Sequence, residues 1–232
     1  MRGAYGSLCA WVWPKRGCEP MSKRHLIFTA LSCCVLTPLL QGAAPKQLGE
    51  IVGDDVYVNC EYRVAAQFPN EPKFKDITYR DGARTAPARQ FYFERDAGQL
   101  SVTVVHFADG PALDPKLISN AAETLRRRGE VRFDFSVFYD DPGIPGRQLQ
   151  IALTDGHFLN GSVYMANNRL YITEAIAGPN DFPALLFSQS VSLIDENGTD
   201  LDTNPITPNS NTPGTSAGLP SRQYDCSRLH RR

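Results

Sequence analysis

Apolar residues between Glu61 and Leu193 recur mostly at every second position, with two stretches that recur at helical spacing. "EYRVAAQFPNEP" (61–72) predicts a strand through Phe68, stopped by Pro69 and Pro72, which cannot donate to a ladder. "DITYRD" (76–81) predicts a short strand. "ARQFYFE" (88–94) and "QLSVTVVHF" (99–107) are stronger. In the second of these, Leu100, Val102, Val104 and His106 share one face, and Ser101, Thr103, Val105 and Phe107 share the other. The short, turn-rich gap Arg95-Asp96-Ala97-Gly98 joins the two as a hairpin.

"LDPKLISNAAETLRRRG" (113–129) is the clearest helix. Asp114 can cap it, and Pro115 fits the first turn, where its missing N–H costs nothing. Leu117, Ile118, Ala121, Ala122 and Leu125 line one face. Arg126 to Arg128 sit where the helix dipole favours cations, and Gly129 can supply a left-handed stop. Four further strands follow: "EVRFDFSVF" (130–138), "GRQLQIAL" (146–153), "HFLNGSVYMA" (157–166) and "RLYITEAIA" (169–177). Asp155-Gly156 and Asn167-Asn168 mark tight turns between them. In "NDFPALLFSQSVSLI" (180–194), Asn180 or Asp181 can cap a last helix, whose Leu185 and Leu186, with Val191 and Leu193, are expected to cover the sheet. Hairpins between most neighbours imply an α+β fold: an antiparallel meander with two packed helices. The predicted domain spans residues 50–195. Residues 196–232, rich in Asn, Thr, Pro, Gly and Ser, hold too little apolar surface to offset ordering entropy and are predicted to be a disordered polar tail.

"FPNEP", "QLSVTVVHFAD", the capped helix, "GIPGRQLQIALTDGHFLNGSVYMANNRLYITEAI" and "FSQSVSLI" occur in an order that resembles bacterial exported domains of the PsbP-like/Mog1-like type. The resemblance covers about residues 55–194. Relatives close on a Phe-x-x-Ser-Phe-like pattern, and here Phe187-Ser188-Gln189-Ser190-Val191 ends in Val. The resemblance implies an α/β/α sandwich and a noncatalytic module that acts by docking. Its motifs are turn formers, caps and sheet-facing residues, so it carries over a scaffold and no site residue.

The first 44 residues change the picture of where this domain works. From Met21, a basic start (Lys23, Arg24, His25) precedes an apolar run, Leu26–Leu40, and a small-residue zone, Gln41-Gly42-Ala43-Ala44. That is the layout of a secretory signal, with cuts after Ala43 and after Ala44 both fitting. The run is shorter than the ~20 residues needed to span a bilayer. Residues 1–20 are then an upstream extension, and residues 21–44 a signal peptide. A retained apolar segment would instead tether the domain to a membrane. Export to the periplasm or beyond is the expectation, and it gives meaning to cysteine usage. Cys60 and Cys226 alone follow the cleavage zone, and outside the cytoplasm they either form a disulfide or stay apart as a core thiol and a tail thiol.

Charge narrows the partners. The chain is formally at −1, and with five basic residues and one acidic residue in the first 44, the remainder carries about −5. An acidic domain without a basic patch is poorly matched to a phosphate backbone, so nucleic acid is excluded as a partner. The expected partner is a protein or an envelope component. Catalytic motifs are missing. No G-x-S-x-G elbow occurs, and Ser162 lies mid-strand. Cys60 with His106 or His157 would need special geometry to act as a nucleophile pair. His106 is expected to be a core histidine, and His157, just after a turn, to face solvent. No histidine pair has metal-ligand spacing. Asp200-Leu201-Asp202-Thr203-Asn204 opens like a calcium loop, but Pro205 and Asn211 stand where Gly and Glu belong. Asp140-Asp141 before Pro142-Gly143 reads as a turn. The sequence thus assigns no catalytic residue, no metal ligand and no cofactor. The candidate binding surface is the aromatic set Tyr92, Phe158, Tyr164 and Tyr171. The competing reading is a small hydrolase whose site is assembled from residues far apart in sequence, with His106 or His157 meeting a carboxylate and a hydroxyl or thiol.

Overall fold

A strand that is apolar on both faces must be covered on both faces, and the stretch around Leu100–Phe107 sets that demand at the centre of the fold. The computed structural model describes residues 49–53, 55–82, 84–96, 98–139, 143–179, 181–202 and 222–229. The expected signal segment, Asp140-Asp141, Asn180, His230 and the second half of the calcium-like stretch lie outside these residues. In chain order the elements are β1 (Glu50–Val52), β2 (Val56–Asn59), β3 (Val64–Gln67), β4 (Lys73–Asp81), β5 (Arg84–Arg95), β6 (Gly98–His106), α1 (Pro115–Arg126), β7 (Gly129–Phe138), β8 (Pro145–Leu153), β9 (Phe158–Ala166), β10 (Arg169–Ala177), α2 (Phe182–Gln189), β11 (Ser192–Leu193) and α3 (Cys226–Leu229).

Seven strands form an antiparallel sheet in the order β4-β5-β6-β10-β9-β8-β7. Each predicted hairpin is present, and α1 carries the chain from β6 to the far edge, from which β7 to β10 meander back to pair with β6. Asn167 and Asn168 both take positive φ in the β9–β10 turn, a conformation that suits asparagine. The α+β expectation holds, with one addition. The apolar residues before Pro69 do not join the central sheet but form a second one, ordered β1-β2-β3-β11.

The two faces of the central sheet are filled differently. On one, Leu117, Ile118, Ala121, Ala122 and Leu125 of α1 pack on Val105, Leu149, Ile151, Leu159, Val163 and Leu170. Asp114 caps α1 as expected, its Oδ1 accepting from the Lys116 backbone N–H at 2.9 Å. On the other face, Tyr57, Val64, Ala66 and Phe68 of the second sheet, with Ala184 and Phe187 of α2, bury Phe91, Leu100, Val102, Val104 and Tyr171. The face of α2 differs from expectation, since Ala184 and Phe187 point inward while Leu186 is 44% exposed. Gly129 also plays another part. Its φ is not left-handed; it opens β7, where a Cβ would lie 2.1 Å from the Ala152 carbonyl oxygen.

The polar tail needs the largest correction. Asp195–Asp202 and Arg222–Leu229 pack onto the second sheet, although few of their residues are apolar. Ile194 bridges Asp200, Thr199 bridges Gln223, and the Asp200 and Tyr224 backbone N–H groups donate to Arg222 and Gly198 carbonyls. Asp200, 7% exposed, accepts the Tyr139 hydroxyl at 2.6 Å, and Tyr139 in turn accepts the Leu193 N–H at 3.0 Å. Burial first, and then the neighbouring Asp200, push the Tyr139 phenol pKa far above its ordinary value. Cys60 and Cys226 form a disulfide, with Cα atoms 5.6 Å apart, beside Val58, Ala65, Ile194 and Tyr224. Residues 203–221 lie outside the described residues. No described helix is long and apolar enough to cross a membrane.

A cross-link spanning 166 positions removes much unfolded-chain entropy, about 5 kcal/mol by loop closure. The Cys60→Ala/Cys226→Ala protein is expected to lose roughly 2–5 kcal/mol, a Tm drop of about 5–15 °C in calorimetry. A Tm unchanged by the double substitution would show that the tail is held without its staple.

Candidate functional site

An exposed edge is where a sheet can accept another strand, and the two edges of the central sheet differ in kind. The β4 edge carries Lys73, Lys75, Asp76, Arg80 and Asp81, charges that discourage strand addition. The β7 edge reads Glu130-Val131-Arg132-Phe133-Asp134-Phe135-Ser136-Val137-Phe138 and, among the described strands, pairs with β8 alone. Phe135 is 57% exposed, Phe138 56% and Val131 40%. Each would be core on a central strand.

Local register explains how the rings come to point outward. Arg132 is the extra residue of a bulge between the pairs Val131↔Ile151 and Phe133↔Gln150. Beyond it, Phe133 and Phe135 fall on the face of Gln150 and Gln148, which is the face shared with α2 and the second sheet. Asp134 and Ser136 fall on the α1 face. There Arg126 Nε donates to Asp134 Oδ2 at 2.7 Å, Arg147 also grips Asp134, and Arg147 Nη1 donates to Ser136 at 2.9 Å. That polar side is locked. On the open side, Phe133 and Phe135 stack at 5.3 Å with their planes 16° apart. Inward from them runs a row of amides and hydroxyls: Gln150 donates to Asn160 Oδ1 at 2.8 Å, and Ser162 shares a 2.6 Å hydrogen bond with Thr173. Glu130 and Arg132 pair at 3.0 Å along the rim.

The aromatic set chosen from sequence does not make a surface. Tyr171 is 1% exposed, and Tyr164 is half-buried against Tyr139 at 5.6 Å. Phe158 is half-buried at the end of β9. Tyr92 lies on the opposite, α1 face beneath Lys75. The alternation that nominated these rings identifies strands, but central strands turn their aromatics into the core. The three phenylalanines of β7 were missed because alternation cannot tell an edge from a centre. The available signal was Arg, Asp and Ser interleaved with Phe, which is too polar for a strand flanked on both sides.

The nominated catalytic groups are likewise dispersed. Cys60 is half of the disulfide, and the Ser162 and Thr173 hydroxyls bond to each other without a histidine. His157 Nδ1 lies 3.1 Å from Asp155 Oδ1 without forming a hydrogen bond. His106 is exposed rather than core, because β6 ends there beyond the cover of the second sheet. Its register partner is Arg169, for which no carboxylate partner is present among the described residues. Arg126, Arg127 and Arg128, by contrast, pair with Asp134, Glu123 and Glu174. Asp200 is turned inward toward Tyr139 and the Asp202 N–H, a structural role. No group of three His, Cys, Asp or Glu side chains among the described residues could hold a metal ion.

A second feature lies at the other end of the sheet. A cleft of about 480 Å³ is lined by Phe68, Pro69, Phe93, Leu100, Leu186 and Phe187, with Asp55, Gln67 and Arg95 as its polar members.

No protein-family model matches the chain, and no curated protein matches it. Among solved structures, the protein of unknown function PA94 from Pseudomonas aeruginosa aligns with 47% of this chain and 86% of its own at 13% identity, with a TM-score of 0.30. That likeness is too slight to assign a fold or a function.

Partial burial, and then Arg169 and Arg63, lower the His106 pKa below the ordinary 6.5. Because the unfolded chain takes the proton first, the stability tied to neutral His106 is present above about pH 6.5 and is lost as pH falls through that value toward the folded pKa. An NMR titration is expected to give a midpoint below 6.5, moving upward in Arg169→Gln. A midpoint at or above 6.5 would contradict the placement of His106 beside Arg169.

Proposed function

We propose that this chain is an exported, noncatalytic binding module of PsbP-like/Mog1-like type that takes an extended segment of a partner protein onto β7. The observation that carries this reading is the exposure of Phe135 and Phe138 on a ten-residue edge strand whose outer side no described strand pairs, while the opposite edge is more heavily charged. Natural sheets blunt exposed edges with charges and bulges, and on β7 the bulge and the Glu130–Arg132 pair guard only one end, leaving Phe135 and Phe138 exposed beyond them. A row of open backbone groups supplies main-chain hydrogen bonds, and the flanking rings supply alternating apolar contacts, as in other recognition by strand addition.

Export is supported by the basic-then-apolar segment after Met21 and by the disulfide, which persists in oxidising compartments. Scaffold kinship is supported by the order of turn and cap motifs, together with helices on both faces of an antiparallel sheet. The noncatalytic reading rests on the two nominated nucleophiles being engaged elsewhere, Cys60 in the disulfide and Ser162 with Thr173. The partner is expected to be a protein of the envelope.

The test places a photo-crosslinking residue at position 138, an exposed site on the same strand, in the full-length protein in cells and identifies what it captures in the envelope fraction. Capture of one defined protein through an extended segment, abolished in Phe133→Ser/Phe135→Lys with Tm unchanged, is the expected result. A capture pattern identical in that variant would refute the assignment of β7 as the binding edge.

A further inference from the structure

The cleft between α2 and the β5–β6 hairpin is a second site, independent of the edge strand. We infer that it binds a single-chain amphiphile headed by a carboxylate, with the apolar chain inside the cleft and the head on Arg95. Its volume falls in the range of small-molecule sites, and its walls have their composition: mostly apolar, with few polar groups. Phe68 and Phe187 meet at 4.9 Å and form a rigid floor, both being fully buried. Phe93 and Leu100 continue that floor from the hairpin. Leu186 stands at the lip, 44% exposed, with nothing among the described residues to cover it.

Charge decides the head group. Arg95 ends β5 and lines the cleft. Its Nη2 forms an ion pair with Asp181 Oδ2 at 2.8 Å, and Asp181 in turn caps α2 by accepting the Ala184 N–H at 3.2 Å. That triad holds the guanidinium in place against the helix start. Its other terminal nitrogen, Nη1, is cut off from solvent and has no acceptor. An unsatisfied buried donor on a charged group is costly, and a bound anion relieves that cost. The Arg95 side chain keeps 24% of its surface open, and Arg95 is among the residues that line the cleft. Asp55, exposed at the rim, adds a negative charge close by. It disfavours a doubly charged phosphate head relative to a single carboxylate.

The test titrates the full-length protein with dodecanoate, dodecanol and dodecyl phosphate, each below its micellar concentration, and follows methyl NMR shifts and Tm. Dodecanoate is expected to shift the Leu100 and Leu186 methyls and to bind at least tenfold more tightly than dodecanol or dodecyl phosphate. Arg95→Gln is expected to erase the preference over dodecanol. Since that change also strips Asp181 of its partner, Leu186→Asp serves as a second variant at an exposed position. It is expected to weaken dodecanoate about tenfold with Tm unchanged. Equal affinity for the acid and the alcohol, or shifts confined to residues outside the cleft, would overturn the inference. Failure here leaves the edge-strand reading untouched, because no residue of β7 lines the cleft.

Discussion

The architecture follows from strands that are apolar on both sides. β6 presents Leu100, Val102 and Val104 one way and Val105 the other. β10 adds Tyr171 and Ala175 to the first side and Leu170 and Ile172 to the second. Such strands are stable only at the centre of a sheet and only between two covers. The α1 helix is one cover, and its five apolar residues suffice because they lie on one stripe over β8 to β10. The other side is wider and takes two pieces, the second sheet and α2. Everything else in the fold is the consequence of building that second cover from short elements.

Short elements need ties. The second sheet has strands of two to four residues, too short to hold by ladder bonds alone. Its far side is therefore closed by the returning tail: the disulfide to Cys226, the Asp200–Tyr139–Leu193 relay and the Thr199–Gln223 bridge. Tyr139 links this set to the end of β7. The tail thereby connects the aromatic edge to the second sheet through one phenol, with both ends of its hydrogen-bonding capacity used.

Much of the central sheet was legible because period two and period 3.6 separate cleanly there, and because Asp114, Pro115, Asp155-Gly156 and Asn167-Asn168 punctuate it. The tail was not legible, since its order comes from one covalent bond and from polar side chains meeting groups far away in sequence, which hydropathy does not register. His106 was misplaced because sharing a face with Val104 says nothing about where the cover ends. The site suffered the same blindness. Tyr171 and Phe135 look alike in sequence, each an aromatic residue in an alternating strand, and only the position of the strand in the sheet separates a core ring from a contact ring. Arg95 carried no signal at all, because its meaning depends on Asp181, more than eighty residues away.

Both open features arise where the covers stop. On the α2 side the helix reaches β10 and β9 but not β7, so the sheet beyond β9 shows amides next to phenylalanines in place of a packed core. This mixture sets what an added strand must be. Alternate residues of a strand lie about 7 Å apart, so a partner opposite Phe133 and Phe135 must itself alternate, with apolar residues facing those rings. On the reverse side it meets Val131 and Phe138, but between them Asp134 and Ser136 are already held by Arg126 and Arg147. A partner charge there would compete with bonds that fix α1 to β7. The edge therefore favours a segment apolar on the amide face and small or neutral at the middle of the other. That is a narrower specification than exposed hydrophobicity alone would give.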